Sequence, residues 1–227
     1  MGLFDHLLRD LRSVIDRDGS QNAIPPLDGA RVLLRDLPYP YGVAVAPDGE
    51  HLWLAESWAH RLSRFALGGD GIGRREMIAG NLPGYPARIH RDAQGGYFLG
   101  LFARRTHLIE FVLKEDDFRE EMIASMAPDY WIAPALAGGN DCLEPMQIGS
   151  VKALGIQKPW APPRSYGLVA RLDTNGHAIE SFHSRTSGKF HGVTAVAVDH
   201  DRVLVLSKGH GKIAELSVVG ASDGKRA

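Results

Sequence analysis

The sequence is poor in the features that would tie it to an oxidising compartment, a bilayer or a polyanion. Its single cysteine, Cys142, has no internal partner for a disulfide. No apolar run approaches the roughly 18 residues that a membrane-spanning helix needs. Lys and Arg number 26 against 27 Asp and Glu, a formal charge of -1, so no global basic field exists to hold a phosphate backbone or an anionic lipid surface. Nucleic acid and membrane are therefore not expected as partners, and the cytosol is the default compartment. His-x-His and His-Glu-x-x-His spacings are missing, which leaves no zinc signature. Ser57 and Ser150 lack a Gly-x-Ser-x-Gly elbow, and Cys142 beside Asp141 matches no nucleophile pattern, so serine or cysteine hydrolysis has no sequence support.

What is present is ordinary for a folded chain of 227 residues, 44% hydrophobic and 23% charged. The first segment, MGLFDHLLRDLRSVIDRD, has neither the basic start nor the cleavage site of a secretory signal, and His6 stands where a myristoylation motif wants Ser or Thr. Leu3, Phe4, Leu7, Leu8, Leu11, Val14 and Ile15 fall at helical spacing, with Asp5, Arg9, Asp10, Arg12 and Asp16 on the wet side. Residues 1–28 are read as an amphipathic helix and a linker, the helix packing on the protein itself or on a second chain.

Residues 42–56, GVAVAPDGEHLWLAE, set two short apolar-alternating runs around a Pro-Asp-Gly turn, the pattern of a β-hairpin. The design recurs in ARIHRDAQGGYFLGLF from residue 87 and GVTAVAVDHDRVLVLSKG from residue 192. The first two turns lie roughly 45 residues apart, the period of a four-stranded propeller blade. A first blade is expected as Gly42–Ala46, His51–Glu56, Arg61–Leu67 and Glu76–Ala79. The glycine-rich GGDGIG at 68–73 joins two of its strands and opens no helix, so it is a turn and not a nucleotide loop.

The second blade has inner strands Ala87–Arg91 and Tyr97–Phe102, but its outer strands appear only at Gly167–Asp173 and Ala178–His183, joined through Asn175-Gly176, a strong hairpin signal. Between them runs an insertion, residues 103–166. Its first half, Thr106–Met126, predicts one or two short helices. Its second half is rich in Pro, Gly and aromatics, as loops that cover or shape a site often are. A third blade runs through Val193–Val198, Arg202–Ser207 and Lys212–Val218, lacks a fourth strand, and gives way to a disordered tail at 221–227. The propeller region thus spans 29–220, an all-β, partial β-propeller of about three blades. An unpaired strand over Arg31–Leu37 could fill the vacant edge of the last blade. Three blades fall short of the four to eight that close a ring. Either two chains form a six-bladed homodimer or the chain is the carboxyl half of a longer propeller.

The stretches YGVAVAPDGEHLWLAESWAHRLSRFAL and REMIAGNLPGYPARIHRDAQGGYFLGLFARR resemble the strictosidine synthase-like family. The resemblance is close over residues 29–105 and looser through PWAPPRSYGLVARLDTNG to SKGHGKIAEL. It implies a six-bladed propeller related to gluconolactonases and paraoxonases, a family that includes the adipocyte plasma-membrane-associated protein. It also implies further blades, and often a signal or anchor, ahead of this region. In such propellers the residues opening each innermost strand point into a central channel, and three of these differ here. Tyr41-Gly42 stands where the family often has Asn-Gly, its Asn a calcium ligand in metal-dependent relatives. Pro86-Ala87-Arg88 stands where Pro-Asp-Asn is common. The synthase catalytic glutamate falls at or beside Thr194. Calcium wants six to eight oxygens, so by resemblance a calcium site is implied but its usual ligands are altered, and no cofactor or metal is expected.

Arg88 and His191 are the candidate catalytic pair, Arg88 for a polarised carbonyl or anion and His191 to move a proton; the alternative for Arg88 is a wall residue held by a carboxylate. Tyr41, Glu56, Thr194, His210 and Trp131 are candidate substrate contacts. Glu56 could equally be a structural ion pair with Arg61 or His60, His210 a turn residue, and Trp131, with Tyr130 and Trp160, a pin for the insertion. Two functions remain open: a small-molecule ester or lactone hydrolase without the synthase glutamate, and a non-catalytic binding or scaffold propeller.

Overall fold

Why the hairpins form is visible in their turns. Asp48, Asp92 and Asp173 each accept a hydrogen bond from the backbone N–H two residues on, at 2.8, 3.2 and 2.8 Å. A short carboxylate bonding its own backbone imitates a turn and directs the chain back on itself. The computed structural model describes residues 32–68, 71–92, 94–138, 152–153, 156–157, 165–185, 188–199 and 202–216. The amino-terminal helix, Trp160 and the tail expected from the sequence lie outside them.

The first sheet is a meander of β1 (Pro40–Val45), β2 (His51–Glu56), β3 (Arg61–Ala66) and β4 (Arg75–Ala79), all antiparallel. The second begins with β5 (Gly84–Arg91) and β6 (Tyr97–Arg104). The chain then leaves through α1 (His107–Val112), α2 (Asp116–Ser125), a 3-10 turn at Pro128–Tyr130 and a short pair, β7 (Lys152–Ala153) with β8 (Ile156–Gln157). It returns as β9 (Gly167–Leu172) and β10 (Ala178–Ser184), which complete the second sheet in the order β5-β6-β9-β10. The third sheet holds β11 (Val193–Asp199), β12 (Arg202–Ser207) and β13 (Lys212–Leu216). Residues 32–37 join no ladder, contrary to the strand expected there. The extended run is broken at Asp36 and Tyr39, both at φ 55°, left-handed backbone that a continuing strand does not allow.

The sheets stack through their faces. Ala44, Trp53, Ala55 and Leu62 of the first pack against Ile89, Tyr97, Leu99 and Leu101 of the second, with Trp53 stacked on Tyr97 at 4.2 Å. The opposite face of the second, Phe98 and Val169, packs on Val193, Val196, Val203 and Val205 of the third. β6 is therefore covered on both sides, which is why YFLGLFA reads as a continuous apolar run without alternation. The innermost strands are close neighbours: β1 contacts β5, and β5 contacts β11. Gly42 makes the first approach possible, since a Cβ there would lie 2.4 Å from the Ala87 carbonyl oxygen. Gly100 of β6 likewise leaves room for Val193 of β11, to which a Cβ there would come within 3.1 Å. Among the described residues no helix is long and apolar enough to cross a membrane.

Candidate functional site

Tyr41, Ala87 with Arg88, and Thr194 share one structural role. Each lies where the ladder between an innermost strand and its neighbour slips: Pro40 to Gly42 opposite Glu56 and Ala55, Pro86 to Ile89 opposite Leu101 and Leu99, and Val193 to Ala195 opposite Ser207 and Leu206. A bulge leaves an extra residue unpaired, bends the strand and re-aims a side chain. The bulges sit near the end of the strands that the insertion covers. Ile109 of α1 and Leu136 join Tyr85, Ala87, Phe102 and Ala103 in one buried cluster, against which Tyr41 and Trp58 pack.

The bulges bring Arg88 to Tyr41. The guanidinium carbon lies 5.6 Å from the Tyr41 ring centroid, a cation–π distance, and Tyr41 in turn lies 5.7 Å from Phe102. Arg88 is exposed and pairs with no carboxylate among the described residues. Thr194 is buried at the third bulge. A phenol, a guanidinium and one buried hydroxyl do not suit calcium, which the Arg88 charge would repel. Among the described residues no three His, Cys, Asp or Glu side chains converge on a metal-sized site.

Glu56 closes β2 directly opposite Pro40 and is fully buried. It accepts from Arg61 at 2.6 Å and from the Ser63 hydroxyl at 2.5 Å, with Arg75 at 3.6 Å. Burial pushes its carboxyl up, yet the bonds from Arg61 and Ser63 and the charges of Arg61 and Arg75 together hold it below the ordinary value. It is an ion-paired strut beneath the first bulge. Ser207 has the same place in the third sheet and donates to the His191 carbonyl at 2.6 Å.

His191 is buried, and both ring nitrogens are engaged. Nε2 lies 2.7 Å from the Arg185 carbonyl and must donate to it, so Nδ1, 2.8 Å from Ser165 Oγ, accepts the serine proton. Burial is the main cause that holds its pKa below the ordinary value, opposed by the Arg185 carbonyl and aided by His210. The ring is neutral at pH 7 and is oriented by backbone rather than by an acid. His210 is half-buried, stands edge-on at 5.2 Å, and accepts the His191 backbone N–H through Nδ1 at 3.1 Å. His191 is enclosed between Ser165, Tyr166 and His210.

Trp131 is not brought to the bulges. Its ring is buried with Val112 and Met122, and Nε1 donates to the Met126 carbonyl at 2.9 Å. It fastens the end of α2 to α1, so its placement as a substrate contact gives way to a packing role. A polar cluster around Glu110 was not foreseen from the sequence. Glu110 of α1 receives Tyr85 Oη at 2.8 Å, Arg105 at 2.8 Å and His60 Nε2 at 2.9 Å. Burial and the Arg105 charge outweigh Glu110 and hold the His60 pKa low. Only the i, i+5 spacing of Arg105 and Glu110 hinted at it; His60 and Tyr85 come from other sheets.

Three antiparallel sheets packed through successive faces, with bulged innermost strands side by side, define an all-β partial β-propeller. Over part of its length the chain is similar in sequence to strictosidine synthase-like proteins. It is 36% identical over 110 residues to the protein strictosidine synthase-like 6 of Arabidopsis thaliana, a match covering 48% of this chain and 28% of the relative. With the adipocyte plasma membrane-associated protein of Salmo salar it shares 25% identity over 183 residues, 77% of this chain and 36% of the relative. The chain spans about a third of the length of these relatives. No family model matches it. Among solved structures, the calcium-binding protein regucalcin of Agrobacterium tumefaciens aligns over 82% of this chain and 48% of its own, with 16% identity and a TM-score of 0.44.

Proposed function

We propose that the chain is a propeller module that binds a small carbonyl compound, an ester or lactone, through Arg88 beside the Tyr41 ring, without a metal. The observation that carries this reading is an exposed guanidinium, with no carboxylate partner among the described residues, held on a bulge over an aromatic face. Binding accounts for the geometry better than turnover, because His191 has spent both nitrogens on Ser165 and Arg185. Hydrolysis has one observation in its favour, the Ser165–His191 bond, but Ser165 is 2% exposed and a nucleophile must reach its substrate.

Titration with γ-butyrolactone, followed by amide chemical shifts, tests this. Binding should weaken about tenfold in Arg88→Gln, the scale of one charge-assisted hydrogen bond. Equal affinity in the variant removes Arg88 from the site. Lactone or phenyl acetate turnover above background, lost in both Arg88→Ala and His191→Ala, would replace the binding reading with the hydrolytic one.

A further inference from the structure

A cavity lies at the root of the insertion. It measures about 380 Å³ and is lined by Pro83, Leu101, Ala103, Arg104, Tyr166 and Leu168 among others. Leu101 and Leu168 place it on the face of the second sheet that turns to the first. Arg104 ends β6 where the insertion leaves, and Tyr166 precedes β9 where it returns. The volume is at the low end for small-molecule pockets, and the walls are mostly apolar, as such pockets are.

Arg104 is the anomaly in this wall. Its Nε is buried with no hydrogen-bond partner, and among the described residues no carboxylate pairs with its guanidinium. Burial alone lowers its pKa, with no neighbour to offset it. The other polar wall groups are already satisfied: Arg105 by Glu110 and Asn81, Tyr166 by His183, and His183 also by Ser181. A half-buried cation without a counter-charge is costly unless an anion completes it.

We infer that this cavity binds a small organic carboxylate, its anionic group on Arg104 and its apolar body against Pro83, Leu101, Ala103 and Leu168. Arginine presents a planar fork of donors that matches a carboxylate. The mainly apolar wall favours a ligand with a hydrocarbon or aromatic body over a bare inorganic anion.

Calorimetric titration of the full chain with phenylacetate, with 2-phenylethanol as the neutral match and with inorganic phosphate, tests the inference. Phenylacetate should bind about tenfold tighter than either, the scale of a charge-assisted bond. Arg104→Gln should abolish that preference, Arg104→Lys should keep part of it, and Arg88→Gln should leave it intact, with each variant shown by thermal melting to be folded. Four results overturn the inference: no binding of phenylacetate at millimolar concentration, equal binding of the alcohol, tighter binding of phosphate, or a preference that survives Arg104→Gln. Loss in Arg88→Gln instead would assign the carboxylate to the bulge site.

Discussion

Replacing Glu56 with Ala is expected to destabilise the fold by about 3–4 kcal/mol, against roughly 3–5 kcal/mol for removing one partner of a buried pair. The carboxylate is fully buried, and its loss strands the Ser63 hydroxyl and the Arg61 side chain, whose Nε already lacks a partner. Because Arg61 reaches solvent, part of its charge can rehydrate, which keeps the effect at the lower end of that range. For a chain of this size the melting temperature should fall by about 10 °C. The pH dependence has a definite sign. The folded carboxyl titrates below its ordinary 4.5, so its contribution is present above that pH and is lost as pH falls through the folded value. The variant should therefore show a shallower acid limb than the parent. A melting temperature within about 2 °C of the parent would mean that the pair contributes nothing net.

The second large effect belongs to Gly42. A Cβ there would lie 2.4 Å from the Ala87 carbonyl oxygen and 2.9 Å from both Arg88 Cα and Ile89 N. All three are backbone atoms, so the clash cannot be relieved by a rotamer. Gly42→Ala should cost about 3 kcal/mol, the upper part of the overpacking range. Moving β1 away from β5 also parts Tyr41 from Arg88, so γ-butyrolactone binding should weaken together with stability. Gly68 is the control, having nothing within 4 Å of a built Cβ; its change to Ala should stay within about 0.5 kcal/mol. Equal tolerance at both positions would show that the first two innermost strands do not meet.

Much of this frame was legible in residue order. Hairpins could be read because period-2 alternation and Asp-bearing turns are local signals, and the turn at Asn175-Gly176 announced the return of the second sheet after a long absence. Glu56 and Arg61 were legible as a pair because five residues span a tight turn between paired strands. The bulges were not, since a slip in register depends on the partner strand and leaves no local mark. The enclosure of His191 was hidden for a different reason. Ser165 lies 26 positions away, across an outer hairpin, so no periodicity joins them. The Glu110 cluster was equally silent, because α1 meets His60 and Tyr85 only after the sheets have stacked. That Arg104 has no carboxylate partner among the described residues cannot be seen in sequence at all, for it is defined by what does not surround the side chain.

The innermost strands of successive sheets lie side by side, carrying Tyr41 and Arg88 to one place. Nuclear Overhauser contacts in isotope-labelled protein test it directly, between a Gly42 α-hydrogen and the Arg88 α-hydrogen, and between Gly100 and the Val193 methyls. Both are expected, because the Gly42 position faces Arg88 Cα at 2.9 Å and the Gly100 position faces Val193 Cγ1 at 3.1 Å. If the within-hairpin contacts Val43 to Leu54 and Ile89 to Leu99 appear while both cross-sheet contacts are absent, the hairpins form but do not gather, and the site does not exist.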